Sequence, residues 1–323
     1  MPRSDLILVA VGGNALIRAG QNGTAQEQFE NAVETATAVV RLIRSGYRVV
    51  LTHGNGPQVG AQLTRSELAA AHAYRLPLDC CVAHTQGEIG YVLQYAMWQM
   101  MQMEGLKTPV VTLITQVLVD RNDPAFETPT KPIGPFYTRD VAERYRDLFG
   151  WYIVEVPGRG FRRVVPSPEP VEIVEVEAIR ACVDRGLVVI AAGGGGVPVF
   201  NDHDITKGVE AVIDKDHTSA ILAGQLQVDL FVICTDVDRV YLDYGKVTQR
   251  PVERLTIEEC KRYLAEGQFP PGSMGPKVNA AIKYIERGGK VAIITDHAHL
   301  VDAVNGTAGT RIEGGREQLS LDN

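Results

Sequence analysis

The chain has 323 residues, a net charge of −7 and 45% hydrophobic residues, as expected for a folded protein of about two domains. It contains no basic tract, which argues against a nucleic-acid surface because phosphate contacts need clustered lysines and arginines. No apolar run approaches the ~18 residues that span a bilayer, and the N-terminus lacks a signal-peptide pattern, so we expect no membrane association. The five cysteines show no C-x-x-C spacing, which excludes a disulfide framework and fits a reducing cytoplasm.

The N-terminal part of the chain predicts a βαβ unit. Residues 6–11 form a continuous apolar run, which is typical of a strand buried on both faces of a parallel sheet. After a glycine turn, Thr24 and Glu27 form a capping-box pattern that begins a helix. A second strand at 48–52 ends in another glycine-containing turn. A helix between two such strands indicates an α/β fold.

The same alternation continues along the rest of the chain. Apolar stripes with helical spacing are predicted around 89–101, 216–226 and 278–287. Further strands are predicted at the apolar runs 110–114, 188–192, 230–234 and 291–295. Strands interleaved with helices predict an open, mostly parallel sheet with helices on both faces, which is an αβα sandwich.

A proline-rich stretch interrupts this rhythm. Between about residues 120 and 170, prolines cluster with charged and aromatic residues between them. Such a composition does not suit a core layer of the sheet. It predicts a small excursion outside the main sheet.

Three glycine-rich turns follow buried strands, at 12–14, 53–56 and 193–196. Glycine permits positive φ and lets an anion approach main-chain N–H groups without a Cβ in the way. In doubly wound sheets such turns lie at the carboxyl ends of strands, where ligands bind. None has the Gly-Lys-Ser/Thr of a Walker loop or the dinucleotide pattern G-x-G-x-x-G. Each turn alone has a plain structural explanation, but the three together favour a ligand site.

Three lysines lie in segments whose backbone is restricted by neighbouring Pro, Gly or Asp. They are Lys131 in Thr-Lys-Pro-Ile-Gly-Pro, Lys215 between two aspartates, and Lys277 after Gly-Pro. Phosphoryl transfer needs positive charge around the transferring group and little covalent chemistry from the protein. From the residues alone, a phosphoryl-transfer site and a set of solvated surface lysines both remain open.

Other polar clusters carry less information. The run 235–241 closes a strand with two carboxylates and is also explained by a turn with Asx-type caps. Asp202-His203-Asp204 and His297-Ala298-His299 resemble metal-ligand spacings, but each lacks a further partner. We therefore predict no metal ion held by protein side chains.

With these segments identified, the chain resembles the carbamate kinases of the amino acid kinase superfamily. The matching stretches follow the family order at 12–16, 53–60, 86–91, 129–136, 164–168, 193–196, 208–216 and 271–277. The resemblance covers about residues 5–312. The Thr-Lys-Pro-Ile-Gly-Pro segment is particular to carbamate kinases and separates the chain from acetylglutamate, glutamate, aspartate and UMP kinases.

The resemblance implies reversible phosphoryl transfer from MgATP to carbamate, which gives MgADP and carbamoyl phosphate. It implies a homodimer on an αβα sandwich, with Mg²⁺ carried by the nucleotide. An N-terminal lobe at 1–190 is expected to hold carbamate, and a C-terminal lobe at 191–323 to hold ATP or ADP. The excursion at about 120–168 corresponds to a protruding lid subdomain. Since carbamoyl phosphate is a strong phosphoryl donor, ATP synthesis is the expected direction.

The resemblance also implies residue roles. The catalytic residues are expected to be Asn14, Lys131, Lys215, Asp216 and Lys277. In this scheme the lysines neutralise the phosphoryl oxygens, and Asp216 holds the lysines in place. The residues expected to bind carbamate and the phosphoryl group are Gly12, Gly13, Gly54 and Asn55. The residues expected to bind the nucleotide are Asp214, Lys215, Thr235, Asp236, Val237, Tyr241, Met274, Gly275 and Lys277. The implied mechanism is direct in-line transfer, in agreement with the lack of a Ser–His or Cys–His constellation.

Three alternatives are weighed against this interpretation. Another amino acid kinase acting on a larger acid would need an additional Arg or Lys for the extra carboxylate, and no such motif is evident. A nucleotide-binding regulatory protein without catalysis would not need all three lysines together with Asp216. A dehydrogenase on a similar sheet is disfavoured because the dinucleotide pattern is missing.

Overall fold

A computed structural model describes residues 5–12, 16–18, 20–203 and 205–314. Gly13 and Asn14 of the predicted phosphoryl-binding turn, and Asp204 of one weak histidine cluster, lie outside these described residues. The strands in chain order are β1 (Leu6–Val11), β2 (Arg48–His53), β3 (Val110–Thr112), β4 (Gln116–Val119), β5 (Lys131–Tyr137), β6 (Tyr152–Val156), β7 (Gly160–Val165), β8 (Pro170–Ile173), β9 (Val188–Ile190), β10 (Val197–Asp202), β11 (Ile205–Gly208), β12 (Leu230–Cys234), β13 (Val240–Leu242), β14 (Arg250–Val252), β15 (Arg254–Thr256), β16 (Val291–Thr295) and β17 (Thr310–Glu313). The α-helices are α1 (Ala25–Arg44), α2 (Gly56–Leu68), α3 (Leu78–Met103), α4 (Arg139–Phe149), α5 (Val176–Asp184), α6 (Lys215–Leu226), α7 (Ile257–Ala265), α8 (Met274–Glu286) and α9 (Leu300–Val304).

An eight-stranded sheet forms the centre of the fold, in the order β15-β17-β16-β12-β1-β2-β9-β3. All of its pairings are parallel except that of β16 with β17. Each strand predicted from an apolar run lies in this sheet, although β3 and β9 end at Thr112 and Ile190, earlier than predicted. The predicted open, mostly parallel α/β sheet is confirmed.

The hydrophobic core lies on both faces of this sheet. Leu8 and Ala10 of β1 pack into a cluster that includes residues of α6 and α8. Ile7 and Val9 point to the opposite face and join residues of α1 and α3. Every residue of β1 is buried, because alternate side chains enter the two helical layers. This two-sided burial explains why the strand reads as an unbroken apolar run.

Helix boundaries follow local capping chemistry. The predicted capping box at α1 is present, with the Thr24 hydroxyl accepting from the Glu27 amide and the Glu27 carboxylate accepting from the Thr24 amide. The prediction at 89–101 covers only the second half of α3, and α2, α4, α5, α7 and α9 were not predicted. Within the described residues, no helix is both long and apolar enough to cross a membrane.

Residues 131–165 form a separate unit, which we call the inserted subdomain. It consists of the antiparallel sheet β5-β7-β6 and helix α4. It lies within the proline-rich stretch and shares no strand pairing with the central sheet. A further sheet, β11-β10-β4-β8, was not predicted from the sequence. The assignment of residues 1–190 and 191–323 to two functional lobes stays a prediction.

Candidate active site

A cavity of 740 Å³ opens between the turn after β2, the inserted subdomain and the first turn of α6. Its walls include Gly54 and Asn55 from the turn, Lys131 from β5, and Lys215 and Asp216 from α6. These predicted residues come from three distant parts of the sequence. The fold therefore brings a glycine turn, two lysines and a carboxylate to one cavity.

The close approach of two turns shapes one wall of this cavity. Gly194, in the turn after β9, has a φ of +67°, and a Cβ there would collide with the side-chain amide of Asn55. A Cβ on Gly193 would similarly collide with the ring of His53. The Asn55 amide also donates to the Thr85 hydroxyl at 2.8 Å, which fixes its orientation. Glycine is therefore required at these positions so that the ends of β2 and β9 can meet.

Two aspartates contact the three predicted lysines. Asp216 Oδ1 pairs with the ammonium of Lys215, and its Oδ2 lies 3.2 Å from Nζ of Lys277. Asp214 Oδ2 lies 3.3 Å from Nζ of Lys131, and its Oδ1 accepts the Asp216 amide at 3.0 Å as the N-cap of α6. The lysines lie on β5, α6 and α8, so this network connects three elements. Three ammonium groups facing two carboxylates leave a surplus positive charge, which favours an anionic ligand.

The charge state of Asp216 follows from its surroundings. The residue is only 4% exposed, and burial alone raises the pKa of its carboxyl group. The ammonium groups of Lys215 and Lys277 outweigh burial and lower the pKa to about 2. Asp216 is therefore ionised at neutral pH and holds both lysines.

His53 is a buried, neutral group beside the cavity that the sequence did not single out. Burial, together with the positive charge of Lys215, lowers its pKa to about 4, although the hydrogen bond with the Gly54 carbonyl acts in the opposite direction. Its Nδ1 lies 3.1 Å from the Gly54 carbonyl oxygen, so in the neutral ring Nδ1 carries the proton and donates it there. The only signal in the sequence was its position at the start of the second glycine turn.

A second, smaller cavity of 190 Å³ lies beside the carboxyl end of β12. Five predicted nucleotide-binding residues line it, namely Thr235, Asp236, Val237, Tyr241 and Met274. The aromatic residues Tyr244 and Phe269 also line it but were not predicted. Met274 and Lys277 are one helical turn apart at the start of α8, so this turn connects the small cavity to the lysine network.

Among the described residues, three predicted residues line neither cavity, namely Gly12, Gly275 and Lys277, the last of which contacts Asp216. Gly12 follows β1, where a Cβ would lie 3.6 Å from the carbonyl oxygen of Cys234. Gly275 donates its amide to the Pro270 carbonyl at 3.0 Å and lines a different cavity of 510 Å³. Across the described residues, no three His, Cys, Asp or Glu side chains are grouped as metal ligands.

Comparisons with known proteins agree with this geometry. The amino acid kinase family model matches residues 5–296. The carbamate kinase of Thermococcus kodakarensis is 46% identical over 310 residues, which is 95% of this chain and 98% of that protein. Carbamate kinase 3 of Staphylococcus aureus is also 46% identical over 310 residues, covering 95% of this chain and 99% of that protein. The carbamate kinase of Giardia lamblia, solved bound to AMP-PNP, superposes with a TM-score of 0.93 at 40% identity, covering 98% of this chain and all of that structure. The chain therefore belongs to the carbamate kinases of the amino acid kinase family.

Proposed function

We propose that this protein catalyses reversible phosphoryl transfer between MgATP and carbamate, with MgADP and carbamoyl phosphate as the other pair of substrates. The observation that carries the proposal is the convergence of Lys131, Lys215 and Lys277 on two aspartates that line the larger cavity. Relatives named carbamate kinase match nearly the whole chain, which supports this choice among phosphoryl-transfer reactions.

In this proposal the two cavities hold the two substrates. Carbamate lies in the larger cavity against Gly54 and Asn55, in the N-terminal lobe at 1–190. The nucleotide base and ribose occupy the smaller cavity, in the C-terminal lobe at 191–323, with Tyr241 and Met274 as apolar contacts. The phosphates then extend towards Lys277 and Lys215 along the first turn of α8. The inserted subdomain acts as a lid that brings Lys131 onto the phosphoryl group.

The chemistry is transfer of a phosphoryl group in line between two bound oxygens. A carbamate oxygen attacks the terminal phosphorus of ATP, and the bond to the bridging oxygen of ADP breaks. Phosphoryl oxygens become additional partners of the lysines, so positive charge is already present when the transition state forms. Asp216 keeps Lys215 and Lys277 in position, and main-chain N–H groups at 12–14 hold the phosphoryl group. No covalent intermediate with the protein is required.

Mg²⁺ fits this site as a companion of the nucleotide. The two carboxylates at the site, Asp214 and Asp216, are both engaged by lysines. Mg²⁺ retains several waters and commonly binds through substrate phosphates, so it needs no dedicated cage of side chains. When bound, it neutralises phosphate charge and orients the phosphates for in-line attack.

We further propose a cytoplasmic homodimer. All five cysteines are free, which suits a reducing compartment. Tyr91, Tyr95 and Trp98 form an exposed aromatic row on α3, next to the edge strand β3. Such an apolar face is typical of a contact surface, and a second copy of the chain would cover it. Sedimentation velocity is expected to give twice the chain mass, and a monomer at micromolar concentration would contradict this part of the proposal.

A coupled assay tests the proposed reaction. Carbamoyl phosphate and MgADP are incubated with the enzyme, and ATP is detected through hexokinase and glucose-6-phosphate dehydrogenase. In parallel, MgATP is offered with acetylglutamate or UMP, and ADP release is measured. We expect ATP from carbamoyl phosphate only, and none when Mg²⁺ is chelated during the incubation and restored only for the detection step. Activity with another acceptor and none with carbamoyl phosphate would keep the fold but reject the substrate.

A further inference from the structure

The inserted subdomain packs against helix α2 through its strand β5. Gly60, Leu63 and Glu67 lie three and four residues apart and share one face of this helix. At Gly60 the helix approaches β5 so closely that a Cβ would lie 3.2 Å from the Cα of Gly134 and 3.3 Å from its amide nitrogen. These are backbone atoms, so no flexible side chain can move aside to make room.

The strand at this contact is held from its other sides as well. Gly134 has a φ of +69°, and its carbonyl accepts the Nε–H of Arg162 on the neighbouring strand β7 at 3.1 Å. Ile133 is buried in one apolar cluster with Val59 and Leu63 of α2. These contacts on both sides of β5 resist a displacement of Gly134 and pass it to the adjacent Ile133, which is paired with β7.

Lys131 is the first residue of this strand, three residues before Gly134. Its ammonium crosses the cavity to Asp214 at 3.3 Å, so its reach depends on where β5 lies. We infer that Gly60 is a positioning residue: the absence of a side chain there sets the distance between α2 and β5 and thereby places the Lys131 ammonium on the reacting phosphoryl group. The inference rests on the proposed function, in which Lys131 acts on that group.

The test is Gly60→Ala, with Gly224→Ala as the matched control. Both glycines lie inside helices, where alanine is the better helix former, but at Gly224 a Cβ would make only an ordinary contact of 3.8 Å with Arg287. Misplacement by about 1 Å can cost about a hundredfold in rate. The contacts at Gly60 require β5 to move by a few tenths of an ångström, so we expect turnover of Gly60→Ala to fall about threefold to tenfold. The KM for MgADP stays unchanged, and Gly224→Ala keeps wild-type turnover.

Two further readouts separate positioning from general damage. In a Lys131→Ala background, adding Gly60→Ala is expected to cause no further loss of turnover, because the misplaced group is already gone. Labelling of Lys131 by an amine-reactive reagent, followed by mass spectrometry, is expected to be faster in Gly60→Ala because the contact with Asp214 is lengthened and weakened. The labelling does not depend on activity. If the wild-type enzyme makes no ATP but Lys131 is still labelled faster in Gly60→Ala than in wild type, the proposed function is rejected and the positioning role of Gly60 is retained.

Several outcomes would overturn the inference. The first is equal turnover in Gly60→Ala and Gly224→Ala. The second is that Gly60→Ala lowers turnover by the same factor in wild type and in Lys131→Ala. The third is that Gly60→Ala leaves the labelling rate of Lys131 unchanged. If Gly60→Ala does not fold, Ile133→Val loosens the same contact from the strand side. Ile133→Val is expected to lower turnover and leave the KM for MgADP unchanged. Turnover equal to that of wild type would contradict the positioning of Lys131 by the contact between α2 and β5.

Discussion

Replacement of Asp216 by asparagine removes the charge that holds two lysines while keeping the size of the side chain. The pKa of this carboxyl falls from its ordinary value of 3.8 to about 2, because attraction by Lys215 and Lys277 exceeds the effect of burial. Since one pKa unit is about 1.4 kcal/mol, the ionised carboxylate contributes about 2 kcal/mol to the free energy of unfolding at neutral pH. Asp216→Asn is expected to lose that amount, and turnover should fall because the lysines repel each other and separate.

The sign of the pH dependence gives a second check on this variant. A lowered pKa stabilises the fold above pH 3.8, and the contribution disappears only as the pH falls towards about 2. The stability gap between wild type and Asp216→Asn should therefore be constant between about pH 5 and pH 8. Urea unfolding at several pH values measures the gap, with Asp202→Asn, which disrupts an exposed ion pair with Lys207, as the control.

Saturating MgADP should narrow the gap, because nucleotide phosphates supply the negative charge that the variant lacks. The control variant is expected to unfold like wild type under all of these conditions. Equal stability of Asp216→Asn and wild type at neutral pH would refute the reasoning. A gap that changes between pH 5 and pH 8 would refute it too, since the titrating group would then be another residue.

Three other variants give independent checks. Lys131→Ala should lower turnover by about a hundredfold or more with little change in MgADP affinity by calorimetry, and an equal loss of both would reject its role on the phosphoryl group. Burial lowers the pKa of His53 to about 4, so the free energy of unfolding of wild type should fall by about 3 kcal/mol as the pH falls from 6.5 to 4. His53→Asn should lack this pH dependence in urea unfolding. Burial raises the pKa of Glu67 to about 6, so its carboxylate destabilises the fold above that pH. Glu67→Gln should raise the free energy of unfolding by about 1 kcal/mol at pH 8, a value discounted for partial solvation, and should leave it unchanged below pH 4.5. An equal increase at both pH values would show that the effect does not come from the charge of Glu67.

The central sheet was predictable because buried parallel strands are continuous apolar runs. The strands of the β11-β10-β4-β8 sheet carry no such run, since prolines and exposed polar residues interrupt β8 and β10. Helix α2 was missed because its Gly56-Pro57 start resembles the continuation of a turn. Proline in the first turn of a helix is nevertheless a recognised start signal, so this element was within reach of the sequence.

The candidate site was predictable where the functional residues share a motif, and not where they meet only in space. Asp216 is adjacent to Lys215, and both lie in one recognisable segment. The pairing of Lys131 with Asp214 spans 83 positions, which no local spacing reveals. Phe269 and Tyr244 reach the small cavity from irregular segments, where periodicity gives no information. The close packing of β5 against Gly60 likewise depends on a distance between two backbone segments, which only the folded structure shows.

The proposed mechanism requires that lysines from the inserted subdomain and from α6 act on one phosphoryl group. The direct test is the turnover of Lys131→Ala, Lys215→Ala and the double variant, measured as ATP formed from carbamoyl phosphate and saturating MgADP. We predict that the double variant loses far less than the product of the two single losses, because both lysines stabilise the same transition state. Losses that multiply would show that the two lysines act independently and would contradict a shared site.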